Sequence, residues 1–257
     1  MKQYNKQKMT FDPDSVSDRH SADGAFWAPA IGSALFEAFC HTFFKLYCPL
    51  TVEGLHHLPQ EPFLLCSNHT SHADSAVLMT AAQRSFRDFA LIGARDYFFH
   101  SRRMRWSVSP LMNVIPINRN PGAKSLTACL ATCRRFLEQQ EGNLILYPEG
   151  TRSPDGKMRP FKSGAGLFAL ELGVPVVPAY IEGTHRILPK GRSMPRPSPV
   201  TVRFGEPLLL ARSASEQTLG ELHREQRRQI VAQLAQSIQV LGPGCEAREL
   251  VAVHKTG

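Results

Sequence analysis

Paired cysteines are absent from this sequence, although it contains six cysteines, at positions 40, 48, 66, 129, 133 and 245. No two of them form a C-x-x-C pair, and their spacing does not match a zinc ribbon. Several lie inside apolar runs, where a reduced thiol packs as a small hydrophobic group. These features favour a reducing, cytosolic setting over a disulfide framework or a structural zinc site.

Long apolar segments are absent too. Residues 1–23 are polar, so the N-terminus lacks the apolar core of a signal peptide, and we expect a disordered tail there. The longest uncharged stretch before Glu37, Gly24–Phe36, is shorter than the ~20 residues that a membrane-spanning helix needs. The missing signal peptide predicts the cytoplasmic face for any contact with a membrane.

Residues 24–49 nevertheless carry an amphipathic pattern. The apolar face repeats every three or four residues from Trp27 onward and contains Ile31, Ala34, Leu35, Ala38, Phe39, Thr42, Phe43 and Leu46. The polar face contains Ser33, Glu37, His41 and Lys45. The pattern predicts a helix whose apolar face packs on the protein core or lies in a lipid interface, where Trp and Phe are common.

Acidic residues are fewer than basic ones, 22 against 30, which gives a net charge of +8 and a pI near 9.4. This balance favours an acidic partner, such as phospholipid headgroups, an acidic carrier protein or nucleic acid. The basic residues are scattered in short pairs such as Arg102–Arg103, and no nucleic-acid-binding motif accompanies them. We therefore expect a membrane surface or a carrier as partner, and no nucleic acid.

The order of elements predicts the fold. Between residues 50 and 212 short apolar runs alternate with helical patterns, which is typical of a single α/β domain with a mostly parallel central sheet flanked by helices. A helix and tail are expected over residues 213–257. Pro175 and Pro178 predict that the strand Val176–Ile181 is an edge strand or is irregular at its start.

The first candidate site is the histidine segment, residues 67–75, which follows an apolar run. Neutral His69 can accept a proton from an alcohol, and Asp74 can hold the other ring nitrogen and stabilise the imidazolium. No G-x-S-x-G nucleophile elbow is present, so direct transfer fits better than a seryl intermediate. Two alternatives stay open: a capped helix start, and a metal site that also uses His72.

The second candidate site is the arginine segment, residues 147–153. Arg152 offers a planar fork for a phosphate, Thr151 and Ser153 offer hydroxyls, and Gly150 lets backbone amides approach a ligand. Glu149 is expected to organise the loop or to bind a polar group of the acceptor. Outside the segment, Arg119 and Lys162 are further candidate cations, and the spacing after Gly150 does not match a nucleotide-binding P-loop.

In order and separation, the two segments resemble the motifs of the glycerophospholipid acyltransferase family, the PlsC-like group of 1-acylglycerol-3-phosphate acyltransferases. Asn68-His69-x-Ser71-x-x-Asp74 is similar to the family's N-H-x-S-x-x-D block, and Pro148 to Ser153 is similar to its P-E-G-T-R-S block. The resemblance spans roughly residues 50 to 206. Asn118 departs from the usual F-I-D-R block by standing directly before Arg119.

The resemblance implies transfer of a fatty acyl group from acyl-CoA or acyl carrier protein to a lysophospholipid hydroxyl, most closely 1-acylglycerol-3-phosphate, giving phosphatidic acid. His69 and Asp74 are then the catalytic pair, Val177 and Pro178 lie near the acyl chain, and neither a metal nor a cofactor is needed. The implied substrate-binding residues are Asn68, Ser71, Arg119, Glu149, Gly150, Thr151, Arg152, Ser153 and Lys162. Alternative functions are acylation of another lysolipid or an ornithine lipid, and thioester or lipid hydrolysis.

Overall fold

The computed structural model describes residues 29–96, 111–118, 122–188, 194–210 and 222–243. Its strands are β1 (Leu50–Glu53), β2 (Leu64–Ser67), β3 (Phe89–Ala94), β4 (Asn113–Ile117), β5 (Asn143–Leu146), β6 (Val176–Glu182) and β7 (Val200–Phe204). Its helices are α1 (Ala30–Leu46), α2 (Asp74–Ala81), α3 (Ala123–Gln139), α4 (Ser163–Leu172), α5 (Thr184–Ile187) and α6 (Leu222–Val240). Short 3₁₀ turns lie at Leu55–His57 and Phe86–Asp88.

The strands form one sheet with the order β1-β7-β6-β2-β5-β3-β4. The five strands from β6 to β4 run parallel to one another, β7 is antiparallel to β6, and β1 is parallel to β7. The predicted α/β fold with a mostly parallel central sheet is therefore confirmed. The parallel strands bring their carboxyl ends to one edge, which is where α/β proteins bind ligands.

For strand β6 the sequence left two alternatives, an edge strand or an irregular start, and the structure excludes the first. Strand β6 lies inside the sheet between β2 and β7 rather than at an edge. The carbonyl of Pro178 accepts a hydrogen bond from the Gly205 amide at 2.8 Å, so its missing N–H faces the β7 side, and pairing with β7 starts only at Ala179. The proline thus removes no bond to β2. Pro116, in contrast, lies in the edge strand β4.

Two hydrophobic layers cover the sheet, because successive strand residues point to opposite faces. Leu65 packs with α1 and α2 residues such as Phe44, Val77 and Leu78. Leu64 and Cys66 face the other layer, built by α3, α4 and α6, where the large buried side chains are Phe136, Phe168 and Leu234. Burial of each such Leu or Phe side chain contributes about 1.5–3 kcal/mol. The layers hold the strand ends in fixed register.

Five of the six cysteines are described, and all five are buried and unpaired with another cysteine. Burial raises the pKa of Cys40 to about 12, and it raises the pKa of the Cys66 thiol even further. Both thiols are therefore protonated at neutral pH and act as small core groups. Cys245 lies outside the described residues.

Helix α1 packs through a face that the sequence pattern did not single out. Ser33, Cys40 and Phe44 are buried at helical spacing. Glu37 accepts hydrogen bonds from the Ser85 hydroxyl at 3.2 Å and from the Phe86 amide at 3.0 Å. This stripe includes residues that we assigned to the polar face, since hydrogen bonds satisfy the carboxylate at the interface with the 3₁₀ turn Phe86–Asp88.

The predicted apolar face of α1 is largely exposed instead. Ile31, Leu35, Phe39 and Leu46 are 77%, 68%, 60% and 75% exposed, whereas Phe43 is half-buried against the core. For the four exposed residues, the interpretation as a core-packing face is wrong. Among the described helices, none combines the length and the hydropathy needed to span a bilayer.

Candidate active site

The two polar segments meet at the carboxyl edge of the parallel strands. Cys66 of β2 pairs with Leu146 of β5, so the loops that follow both strands start side by side. The histidine segment leaves β2 and returns as helix α2, while the arginine segment leaves β5. The amide of Ser153 donates to the carbonyl of His69 at 2.8 Å and joins the two loops. The structure therefore places both sequence motifs in one site.

His69 and Asp74 form a direct hydrogen bond. Nδ1 of His69 lies 2.8 Å from Oδ2 of Asp74, and Asp74 is fully buried. The same oxygen accepts hydrogen bonds from the backbone amides of Thr70 and Ser71 at 2.7 and 2.8 Å. An ionised carboxylate can only accept, so Nδ1 carries the hydrogen and Nε2 has a free lone pair. This is the tautomer that a general base needs.

Thr184 supplies the second anchor of Asp74. Its hydroxyl donates to Oδ1 of Asp74 at 2.6 Å and lies 3.0 Å from the hydroxyl of Thr70. Asp74 is also the first residue of α2, where the helix dipole favours a negative charge. The sequence analysis did not single out Thr184. Its sequence signal is its position two residues after Glu182, the last residue of β6, which is the neighbour of β2 in the sheet.

Glu149 links the histidine segment to the loop after β5 through its buried carboxylate. Oε1 accepts a hydrogen bond from the amide of His69 at 2.8 Å, and Oε2 accepts one from the amide of Arg159 at 3.1 Å. Only 2% of the residue is exposed. Burial raises the pKa of Glu149 to about 7, and the two amide hydrogen bonds oppose that shift. These contacts agree with the expected loop-organising role, while a contact with the acceptor stays a prediction.

Tyr147 fixes the plane of the imidazole, a role that the sequence did not reveal. Its ring stacks on His69 with centroids 3.8 Å apart and an interplanar angle of 12°. Its hydroxyl forms a 2.9 Å hydrogen bond with the hydroxyl of Ser75. Burial raises the pKa of Tyr147 well above its usual range, so the phenol is neutral. The Tyr147 ring thus packs against His69 with its face, while its hydroxyl is held by Ser75.

Three other predicted substrate-binding residues are bonded within the protein. Asn68 pairs with the backbone of Ile181, accepting at 2.7 Å and donating at 2.9 Å. Ser71 donates to the carbonyl of Leu188 at 2.9 Å, and the hydroxyl of Ser153 donates to Asp155 at 2.7 Å. All three are buried behind the cavity described next. The Asn68 contacts join the end of β2 to β6, the Ser71 contact reaches the residue after α5, and the Ser153 contact stays within the loop after β5. Direct substrate binding by these residues stays a prediction.

A cavity of about 820 Å³ opens in front of His69. Its polar end is lined by His69, His72, Gly150, Thr151, Arg152 and Lys162, and its apolar walls include Leu91, Met112, Leu126, Leu167 and Phe168 from β3, α3, α4 and the residue before β4. Its size is that of a typical small-molecule site. Buried Val177 and Pro178 do not line it, and Arg119 lies outside the described residues.

Lys162 and Gly150 lie against each other at the polar end. A methyl group built on Gly150 would approach Cδ of Lys162 to 2.9 Å and Nζ to 3.1 Å. Gly150 also has a φ of +67°, a conformation that other residues adopt at a cost. The glycine thus leaves room for the Lys162 ammonium group at the polar end, which Arg152 also lines.

His72 lies at the rim, more than a third exposed. Its pKa is lowered to about 4 by partial burial and by the neighbouring Arg152 and His69 side chains, against the pull of Asp74. It is therefore neutral at physiological pH. Among the described residues, no three His, Cys, Asp or Glu side chains are grouped so that they could hold a metal ion.

Comparison with known proteins gives the family. A family model described as Acyltransferase matches residues 49–182, more than half of the chain. A chloroplastic 1-acyl-sn-glycerol-3-phosphate acyltransferase of Brassica napus is 34% identical over 163 residues, 60% of this chain and 45% of that protein. The human 1-acyl-sn-glycerol-3-phosphate acyltransferase alpha is 30% identical over 133 residues, 49% of this chain and 43% of that protein. The chain spans about half the length of the curated relatives it matches.

A solved structure has the same fold. The crystal structure of the 1-acyl-sn-glycerophosphate acyltransferase PlsC from Thermotoga maritima matches with a TM-score of 0.56 and 25% identity, over 79% of this chain and 78% of that chain. The residues matched by the family model contain both polar segments and the strands β2 to β6 that position them. This chain belongs to the PlsC-like acyltransferase family.

Proposed function

We propose that the protein transfers a fatty acyl group from an acyl thioester, acyl-CoA or acyl carrier protein, to the free hydroxyl of 1-acylglycerol-3-phosphate, and so makes phosphatidic acid. The observation that carries this proposal is the 2.8 Å bond between His69 and buried Asp74 at the mouth of a largely apolar cavity. The names of the relatives support the acceptor. The motifs and the family membership support acyl transfer as the reaction class.

In the proposed mechanism, Nε2 of His69 takes the proton of the acceptor hydroxyl as its oxygen attacks the thioester carbonyl. The tetrahedral intermediate then collapses, the C–S bond breaks, and the imidazolium returns the proton to the leaving thiolate. Asp74 orients the ring and stabilises its positive charge. Backbone amides or hydroxyls of residues 150–153 would stabilise the oxyanion. No covalent acyl-enzyme is formed.

Energetic considerations favour this direct route. Holding thioester and alcohol together can supply up to about 7–11 kcal/mol of the barrier. General-base catalysis by a positioned histidine adds about 10² to 10⁴ in rate. Arg152 and Lys162 at the polar end would bind the acceptor phosphate, with Arg119 as the predicted third cation. The apolar walls would take an acyl chain.

We also propose that α1 binds the membrane surface from which the lipid acceptor enters. Four apolar side chains on α1 are more than half exposed, and removing them from water is favourable. The net charge of +8 adds attraction to anionic lipids. The helix would lie in the plane of the lipid interface, on the predicted cytoplasmic face, and would not cross the bilayer.

The decisive experiment is thiol release from oleoyl-CoA by purified protein, with and without 1-acylglycerol-3-phosphate, with the lipid product identified by mass spectrometry. We expect release that depends on the acceptor and yields phosphatidic acid. His69→Ala and Asp74→Ala variants should still fold and should lose turnover. Acceptor-independent release would indicate a hydrolase. Near-normal turnover by the His69 variant would rule out the proposed mechanism.

A further inference from the structure

The cavity contains a cation that none of the sequence motifs predicts. Within the described residues, its charged walls are Arg152, Lys162 and Arg227, with no Asp or Glu side chain among the lining groups. Arg152 and Lys162 lie inside the region matched by the family model. Arg227 comes from α6 and lies 45 residues beyond the end of that region at residue 182. The C-terminal helix thus completes the wall of the site.

Close packing between α4 and α6 determines where Arg227 lies. A Cβ on Gly166 of α4 would approach the carbonyl oxygen of Arg227 to 2.6 Å and Cγ2 of Val231 to 3.0 Å. The next two turns of the same α6 face bury Ile230 and Leu234 in the core. The helix is therefore anchored by its apolar residues, and its first turns present Arg227 to the cavity beside the start of α4.

Arg227 differs from its neighbours on α6. It is half-buried, whereas Arg224 and Arg228 are exposed. The Arg228 side chain is 76% exposed and lies 3.7 Å from the Glu225 carboxylate. Of these three arginines, Arg227 is the one that lines the cavity. Arg228 therefore provides a matched control with the same charge on the same helix.

We propose that Arg227 binds a phosphate group of a substrate and so contributes to substrate specificity. The proposal rests on the proposed function, in which both substrates carry phosphates: a phosphomonoester on the acceptor, and a 3′-phosphate and pyrophosphate on a CoA donor. A guanidinium fork binds phosphate oxygens in pairs. A wall with three cations and no carboxylate concentrates negative charge near His69.

The test is steady-state kinetics of Arg227→Gln, Arg227→Lys and the control Arg228→Gln. Each variant is assayed with oleoyl-CoA against the phosphate-free oleoyl N-acetylcysteamine thioester. It is also assayed with 1-acylglycerol-3-phosphate against 1-monoacylglycerol, which keeps the hydroxyl and lacks the phosphate. We expect Arg227→Gln to raise the KM of one phosphate-bearing substrate by about 10- to 100-fold, with kcat changed much less.

The paired substrates identify which phosphate is bound. If preference for oleoyl-CoA over the truncated thioester shrinks in Arg227→Gln, the residue binds the donor; if preference for the phosphorylated acceptor shrinks, it binds the acceptor. Arg227→Lys should recover part of the preference, and Arg228→Gln should match the wild type. Unchanged preferences for both pairs, or a lowered melting temperature with unchanged KM, would overturn the proposal.

Equilibrium binding separates this proposal from the proposed function. Calorimetric titration with a thioether analogue of oleoyl-CoA, and with monomeric 1-acylglycerol-3-phosphate, needs no turnover. If the wild type binds either ligand and Arg227→Gln binds it at least tenfold more weakly, Arg227 is a phosphate contact even when acyl transfer is not observed. Equal affinity of both proteins for both ligands would reject the role of Arg227 and leave the proposed reaction untouched.

Discussion

The imidazole of His69 lies face to face with the ring of Tyr147, with centroids 3.8 Å apart and planes inclined by 12°. The Tyr147 ring is in turn held by the hydrogen bond between its hydroxyl and that of Ser75. His69 is therefore fixed in two directions, by Asp74 at the edge of its ring and by Tyr147 at the face. A histidine whose ring is fixed in this way rarely adopts orientations in which it cannot act as a base.

Substitutions of Tyr147 separate the contribution of its ring from that of its hydroxyl. Tyr147→Phe keeps the stacking and loses one hydrogen bond, so we expect turnover within about threefold of the wild type and a stability loss of about 0.5–1.5 kcal/mol. Tyr147→Leu keeps apolar volume but removes the ring, and kcat should fall about tenfold, since such stacking is worth up to about 1.5 kcal/mol. Turnover and chemical unfolding measure the two effects. Ser75→Ala is the control and should behave like Tyr147→Phe.

Thr184 offers a second test, because its hydroxyl donates to Oδ1 of buried Asp74 at 2.6 Å. Thr184→Val keeps the shape and leaves that carboxylate oxygen without this donor, which should cost about 1.5–3 kcal/mol of unfolding free energy. Thr184→Ser should lose less than half as much. The two variants can be compared by urea denaturation and by kcat. Equal stability of both variants would mean that the hydroxyl contributes nothing to holding Asp74.

Asp74→Asn tests whether the negative charge of Asp74 is needed in addition to its hydrogen bonds with His69 and Thr184. The amide oxygen can replace Oδ2 and accept from His69, while the amide nitrogen donates to the Thr184 hydroxyl, which is able to accept. The His69 tautomer is then kept, and only the negative charge is lost. We expect Asp74→Asn to retain at least tenfold more kcat than Asp74→Ala, whose loss should approach the about 10²- to 10⁴-fold value of general-base catalysis. Identical kcat values would show that orientation by this side chain does not matter.

The contact between His69 and Asp74 could be predicted from the sequence because the two residues are close together along the chain. His69 and Asp74 are five residues apart, and both loops follow apolar strands whose neighbours could be expected in a parallel sheet. The partners that act across the fold could not be predicted in this way. Thr184 lies 110 residues beyond Asp74, and Arg227 lies 75 residues beyond Arg152, so only the sheet order and the α4–α6 contact bring them to the site.

The face of α1 that packs on the protein could not be identified from the sequence for a related reason. Hydrophobic periodicity identifies an apolar stripe but does not tell whether protein or lipid covers it. The buried stripe contains Glu37, whose carboxylate is satisfied by hydrogen bonds to Ser85 and Phe86. A sequence pattern scores that glutamate as polar and exposed. In β6, likewise, Pro178 lies just before the pairing with β7 begins, so the strand can lie inside the sheet. This register cannot be predicted from residue propensities.

Glu149 and His72 should give the protein opposing pH dependences. Glu149 has its pKa raised from 4.5 to about 7 in the folded protein, so its contribution to stability is present below pH 4.5 and is lost as the pH rises through 7. His72 has its pKa lowered from 6.5 to about 4, so the folded state excludes its proton and stability rises between pH 4 and 6.5. The two slopes partly cancel in the wild type.

Single substitutions should reveal each slope. His72→Gln removes the contribution to the unfolding free energy that rises with pH. The unfolding free energy of this variant should therefore fall more steeply from pH 4.5 to 7 than that of the wild type. Glu149→Gln should remove the fall. It should also lose about 1–3 kcal/mol at pH 8, because an amide can accept only one of the two backbone hydrogen bonds from His69 and Arg159. Urea denaturation at four pH values tests both expectations, and parallel curves for all three proteins would reject them.

The exposed face of α1 makes a prediction that is independent of catalysis. Leu35 and Phe39 are 68% and 60% exposed, so the double change Leu35→Ser with Phe39→Ser should leave the melting temperature within about 2 °C of the wild type, as surface substitutions usually do. Vesicle binding should fall at least about tenfold, since burial of one such side chain is worth about 1.5–3 kcal/mol. The assay is sedimentation with vesicles that contain an anionic phospholipid. His41→Ser on the same helix is the control, because His41 is exposed and polar. Unchanged vesicle binding by the double variant would assign membrane contact to another surface and leave the site around His69 unaffected.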